Sequence, residues 1–448
     1  MKFVVTFCLV TFTASLHAAT IATNTLSATP STLTLTQCLD LALKQNPQIL
    51  KAREEIRRTH GVILEARGPA WPQLTASGQY IRNDKRNIDL PPLLAGTPDN
   101  MLNPWAASVE VSQVIYSGGR VGAAFRAAKL TDQIAALAFQ RVVADTVLAV
   151  RRNFYQVLLN TQLVLVREES VKLLQRQLDD TRLRFDAGSV PRFNVLRAEV
   201  ELANAKPPLI RAQNDLRLSR ESLVKLLAID SPHTQTFTKI SFDGKLLHEH
   251  RACDLTASLD EALKQRPELA QADKQISLAG EAITNAEGGN KPQLSLFADY
   301  GIHDFAYGND IDQTRNGWAV GARASWPLFD GMATRGRVAQ ARAQREQAIF
   351  DFADARRNIE LEVRQAYADY LQSIELLEAQ KKTVEQAEES LRLAEARFRA
   401  GSGTQLDVFS AQTALSETRS NEIQALYDYN VAIAKLDRVT GRTVKPIS

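Results

Sequence analysis

The sequence predicts a mainly α fold with a minor β part, written as two copies of a helix–strand–strand–long helix–helix unit. Three observations predict it: an internal repeat, four short segments of alternating polarity, and an apolar column recurring every seven residues. Composition narrows the alternatives. The 448 residues carry 54 Lys+Arg against 51 Asp+Glu, a net charge of +3, which leaves no basic excess for nucleic acid. With 44% hydrophobic residues the chain is not a charged disordered one, and 3 Cys and 6 His are too few and scattered for a disulfide scaffold or zinc cluster.

The first element reads as an export signal over residues 1–19. Lys2 supplies the positive start, Phe3 to Leu16 is apolar but too short to span a bilayer, and small residues follow at Ala18 and Ala19. No later run of eighteen apolar residues occurs, so no membrane helix is expected. Export leaves Cys38 and Cys253 in an oxidising compartment, where they either pair or stay free.

The repeat then sets the frame. LDLALKQNP at Leu39–Pro47 recurs as LDEALKQRP at Leu259–Pro267, and WPQL at Trp71–Leu74 recurs as KPQL at Lys291–Leu294, both offset by 220. RFDAGS at Arg184–Ser189 recurs as RFRAGS at Arg397–Ser402, offset by 213. The missing seven residues fall between the two strands, since Pro72 to Trp105 is 33 residues and Pro292 to Trp318 is 26. A first repeat over 20–229, a linker over 230–255, a second repeat over 256–440 and a tail over 441–448 follow.

Strands are expected at about 72–82, 105–116, 292–303 and 317–328. In each, apolar residues (Leu74 and Ala76; Val109 and Val111; Leu296 and Tyr300; Trp318 and Val320) alternate with small or polar ones, Phe297 being the exception. Such alternation suits a soluble sandwich with one wet face, or a membrane barrel with lipid outside and water within. Four strands in a mostly helical, exported chain favour the barrel. Trp71, Tyr80, Trp105, Tyr116, Trp318 and Trp326 lie near the strand ends, as interfacial aromatics would, and Glu110, Asp299 and Arg323 fall on the lumen face. Four strands cannot close a tube, and open edges are excluded from lipid, so the chain must oligomerise; three copies would supply twelve.

Long helices are expected at about 120–187 and 333–400. Val143, Val150, Val157, Val164, Val171, Leu178 and Phe185 stand seven residues apart, and the offset of 213 gives Arg356, Val363, Tyr370, Leu377, Val384, Leu391 and Phe398. Only Arg356 breaks a pattern characteristic of left-handed supercoiling. Such helices reach about 100 Å, the scale of a periplasm rather than of a compact core. Gly188 and Gly401 end them, and return helices follow at about 192–229 and 405–440, with Pro207-Pro208 set to kink the first.

This order of parts, with the WPQL and KPQL strand starts, YSGGR (Tyr116–Arg120), PLFDG (Pro327–Gly331), the paired AGS tips and LDRVTG (Leu436–Gly441), resembles the TolC family of outer-membrane efflux channels over essentially the whole mature chain. The resemblance implies a homotrimer: a twelve-stranded outer-membrane β-barrel continued by a twelve-helix periplasmic coiled-coil tunnel. It also implies docking at the tip to a periplasmic adaptor that serves an inner-membrane pump, in an efflux or type I secretion system. The family's narrowest ring places Asp407 at the entrance, with Ser410 in the position of a second aspartate and Asn194 as the first-repeat counterpart of Asp407. A threefold carboxylate ring would attract cations, and its members would raise one another's pKa. Asp407 and Asn194 suit helix N-caps as well. The positions of the family's tip latch hold Phe398 and Gly403, so a similar polar latch is not expected. Gly188, Ser189, Gly401, Ser402 and Gly403 make the exposed docking tips.

No enzyme and no cofactor are expected. His248-Glu249-His250, with Cys253 nearby, has no helical spacing that would fix two metal ligands, and no phosphate loop or nucleophile triad has a supporting context. The competing functional reading is a cell-envelope scaffold or adhesin that conducts nothing.

Overall fold

The computed structural model describes residues 32–84, 104–229, 240–248, 251–303 and 315–442. The expected export signal over 1–19, the tail beyond Arg442, Glu249 and His250, and the segment expected to hold the seven extra residues lie outside them.

Each repeat opens with a short capped helix. In α1 (Leu35–Gln45) Thr34 and Gln37 form a reciprocal capping box, and Asn46 then caps α2 (Pro47–Arg67), whose first residue is a proline. In the second repeat Asp254 caps α5 (Leu255–Gln265), and α6 (Pro267–Glu287) again begins on proline. Arg266 stands where the first repeat has Asn46.

Between these pairs lie β2 (Gln73–Tyr80), β3 (Trp105–Tyr116), α3 (Arg120–Asp186) and α4 (Arg192–Leu226). After α6 come β5 (Gln293–His303), β6 (Arg315–Ser325), α7 (Ala333–Arg399) and α8 (Gln405–Val439). The last strand is shifted relative to the expected 317–328, leaving Trp326 beyond its end, and β2 stops at Tyr80 rather than at 82. Pro207 and Pro208 lie inside a continuous α4; two missing backbone donors are tolerated there without ending the helix.

The linker contributes a two-residue strand, too short to show alternation in the sequence. This strand, β4 (Ser241–Phe242), pairs in parallel with β1 (Thr32–Leu33), tying the start of the first repeat to the segment between the repeats.

The four long strands form one antiparallel sheet in the order β2-β3-β5-β6, so β2 and β6 are its edges. The helices line up in the same order. α3 packs on α2 and α4 on one side and on α6 and α8 on the other, and α7 packs on α6 and α8. The chain is therefore a stave four elements wide, with α2 and α4 along one edge and α7 along the other. At 67 residues each, α3 and α7 run about 100 Å.

The seven-residue column is the stave's glue. Val150, Val157, Val164 and Leu178 are buried in α3, as are Val363, Tyr370, Leu377 and Val384 in α7, while Phe185 and Arg356 are exposed. Each fully buried aliphatic contributes about 1.5–3 kcal/mol. Because α3 has neighbours on both sides it needs two apolar seams. One window of it reaches a mean hydropathy of 1.4, apolar enough by length and composition to cross a membrane. A helix with apolar seams on two sides presents such a window, so the expectation of no membrane helix is not overturned. Cys38 and Cys253 are free and belong to different cores, and burial pushes the Cys38 thiol up to about 12.

Candidate functional site

At the end of α3 the chain reverses through Ala187 and Gly188. Gly188 takes φ +74, a left-handed conformation that disfavours side chains, and the Ser189 amide closes the turn on the Arg184 carbonyl at 2.9 Å. The second tip copies it: Gly401 has φ +75, and the amides of Ser402 and Gly403 both donate to the Arg397 carbonyl at 3.0 Å.

The return helices begin one turn earlier than the N-cap reading of Asp407 and Asn194 supposed. Thr404 caps α8: its hydroxyl accepts the Asp407 amide at 3.2 Å, and the Asp407 carboxylate accepts the Thr404 amide at 2.9 Å. Asp407 is thus the third helical residue of a capping box. The Thr404 amide, then its hydroxyl, and the charge of Arg397 hold the carboxyl below the usual aspartate range. Within one protomer this is opposite in sign to the effect of a carboxylate ring. In α4 the cap position is Pro191, without a side-chain bond, and Asn194 is the third residue of the helix. Ser410 is exposed one turn beyond Asp407.

The two repeats meet at the tip along the seam between α3 and α8. Gln405 donates to the Thr181 hydroxyl at 3.0 Å, and Arg167 donates to Ser416 at 3.0 Å. Arg419 reaches Glu169 of α3 at 3.4 Å and Glu388 of α7 at 2.8 Å. Phe409 enters the core formed by Leu178, Ala198 and Leu202. Phe398 lies under the Arg184 guanidinium at 5.5 Å, so this position, expected to be without a polar link, holds a cation–π contact.

On the sheet, register places Glu110 directly opposite Asp299, and Arg323 opposite Ser295, on the same face. Phe297, the exception to the alternation, has a physical reason. Its ring occupies the space over Gly321, and Arg323 stacks on it at 5.1 Å. The other face carries Leu74, Val109, Leu296, Trp318 at 76% and Val320 at 70% exposure, an apolar surface uncovered by the protomer. A register shift between Val114 and Tyr116 pairs Tyr116 with Leu294, on this face. Trp71, Tyr116 and Trp326 gather at the helix-proximal end; Tyr80, Trp105 and Trp318 gather at the other.

A third cluster, at the junction of the repeats, escaped the sequence reading. Arg266, 3% exposed, pairs with Glu268 and Glu362. Arg438 pairs with Asp145, Glu268 and Glu362, while Arg151 and Arg251 share Asp437. Its sequence signal was the repeat motif's two mismatches, Leu41 against Glu261 and Asn46 against Arg266, each of which puts a charge in the second copy.

A sheet with one apolar and one polar face, continued by helices of about 100 Å, is the architecture of one wall element of a channel protein. The Outer membrane efflux protein family matches residues 38–228 and 258–442, and the chain belongs to that family. Outer membrane protein TolC of Escherichia coli is 26% identical over 409 residues, covering 88% of this chain and 79% of that protein. Cobalt-zinc-cadmium resistance protein CzcC of Cupriavidus metallidurans is 24% identical, covering 92% and 90%. The crystal structure of the Campylobacter jejuni CmeC outer membrane channel superposes with a TM-score of 0.78 at 15% identity, covering 92% of this chain and 87% of that one, a likeness of fold. The protein is an outer-membrane efflux channel, not an enzyme.

Proposed function

We propose that three copies close into one conduit: a twelve-stranded barrel in the outer membrane, continued by twelve helices across the periplasm. The observation that carries this reading is the matched pair of open edges. β2 and β6 bound the sheet, and α2–α4 and α7 bound the helical layer in the same order, so a single rotation joins both edges to a neighbour. Phe193, Leu196, Val200 and Ile210 form an exposed apolar stripe on α4, suited to cover by the neighbour's α7. Export by residues 1–19 would deliver the chain. Glu110, Asp299 and Arg323 would line the lumen, the aromatic bands would sit at the lipid interfaces, and Asp407, with Ser410 and Asn194 close by, would ring the periplasmic entrance.

Gly188, Ser189, Gly401, Ser402 and Gly403 would receive a periplasmic adaptor, and an inner-membrane pump would supply both energy and choice of cargo. Metal ions, toxic compounds or a secreted polypeptide all suit such a duct. CzcC is named for cobalt-zinc-cadmium resistance, which brings metal ions within that range. Reconstitution of the purified protein in planar bilayers tests the reading. Discrete conducting steps are expected; no conductance, even from an Asp407→Ala variant, would favour the scaffold or adhesin.

A further inference from the structure

The seam between α3 and α8 holds charged clusters at one end and buried side-chain amides toward the other. At the repeat junction the guanidinium of Arg438 is surrounded by Asp145, Glu268 and Glu362. Near the tip, Gln412 on α8 is 5% exposed, and neither its amide nitrogen nor its amide oxygen has a hydrogen-bond partner among the described residues. The side-chain oxygens of Gln177 and Gln405 are likewise buried and unpaired among the described residues. These last two residues border a cavity of about 280 Å³ with Thr181, Arg184, Phe398 and Val408. Among the described residues, the other buried side-chain atoms without a partner are the Nε atoms of Arg151 and Arg220, and Arg151 is ion-paired to Asp437 through its Nη1, so Gln412 is the one side chain in this set with two unpaired atoms.

Burying a polar group unpaired is unfavourable, because the hydrogen bonds it made to water in the open state are not replaced. An apolar side chain of the same length at 412 would fill the space without that cost. We propose that Gln412 is a gate-poising residue: its buried, unpaired amide destabilises the packing of α8 on α3 at the tip, so that the seam parts from the tip inward. Parting hydrates the amides of Gln412, Gln405 and Gln177, while the Arg438 cluster holds the far end. The role rests on the duct reading above, since parting of the tip matters only where something passes.

The test uses the full-length protein as wild type, Gln412→Met and Gln412→Glu. Two readouts are taken: open fraction in planar bilayers, and hydrogen exchange of backbone amides in 405–416. Gln412→Met is expected to lower the open fraction and slow exchange by about tenfold, the scale on which one unsatisfied polar group shifts an equilibrium. Gln412→Glu, which buries a charge, is expected to raise both. Exchange in Gln412→Met equal to or faster than wild type overturns the proposal. Failure of that variant to fold overturns it too, because an unpaired amide is not needed for the fold. A wild type that conducts nothing would remove the duct reading, and the exchange order would still decide this one.

Discussion

Asp407 carries two duties that a single substitution can separate. Asn retains an acceptor for the Thr404 amide and removes the charge, whereas Ala removes both. Asp407→Asn is therefore expected to weaken block by divalent cations in bilayer recordings while α8 keeps its start; Asp407→Ala should also speed amide exchange at 404–408. The pH dependence follows from the direction of the shift. Because capping lowers the carboxyl's pKa in the folded protein, the stabilisation is complete above the ordinary aspartate value of about 3.9 and is lost as pH falls through the lowered one. Protection of the 404–408 amides, with exchange corrected for its intrinsic pH dependence, should be level from pH 6 downward and fall only at the acid end near pH 3. The residue's place near the tip was legible in the sequence, but its role as cap partner was not. Telling the N-cap from the third helical residue requires the helix start to within a residue, and Thr404 and Asp407 are both good capping types.

At the scale of elements, the seven-residue column was readable because each of its contacts is made by a residue with a regular sequence neighbour. Leu377→Ala, at a fully buried position, is expected to cost about 3 kcal/mol in denaturant unfolding, and Leu393→Ala, half exposed, much less. The charged junction was unreadable for the converse reason, since Asp145, Arg266, Glu268, Glu362 and Arg438 come from distant parts of the chain. Removing Arg266 leaves Glu268 buried with one fewer cation. Arg266→Ala should cost about 3 kcal/mol and loosen α6 from the end of α8, read as faster exchange at 267–275. Burial pushes the Glu268 carboxyl up, but the hydrogen bonds and charge of Arg266, with Arg438, outweigh it and leave the pKa lowered. The junction is thus fully formed above the ordinary glutamate value of about 4.3 and weakens as pH falls through the lowered one. The parallel pair of β1 and β4 was missed because two residues are too few to show alternation.

For the whole molecule, the repeat offset and the strand pattern made the duplicated architecture legible without any contact information. How the staves align was not, because strand order and helix order depend on which neighbours pack, not on periodicity. The central claim is that one chain is an incomplete wall. Its most direct test is the protein mass of the particle solubilised in mild detergent, measured by native mass spectrometry against the 49.6 kDa of one full-length chain. Three chains per particle are expected; a monodisperse single chain that stays soluble without detergent would contradict the account.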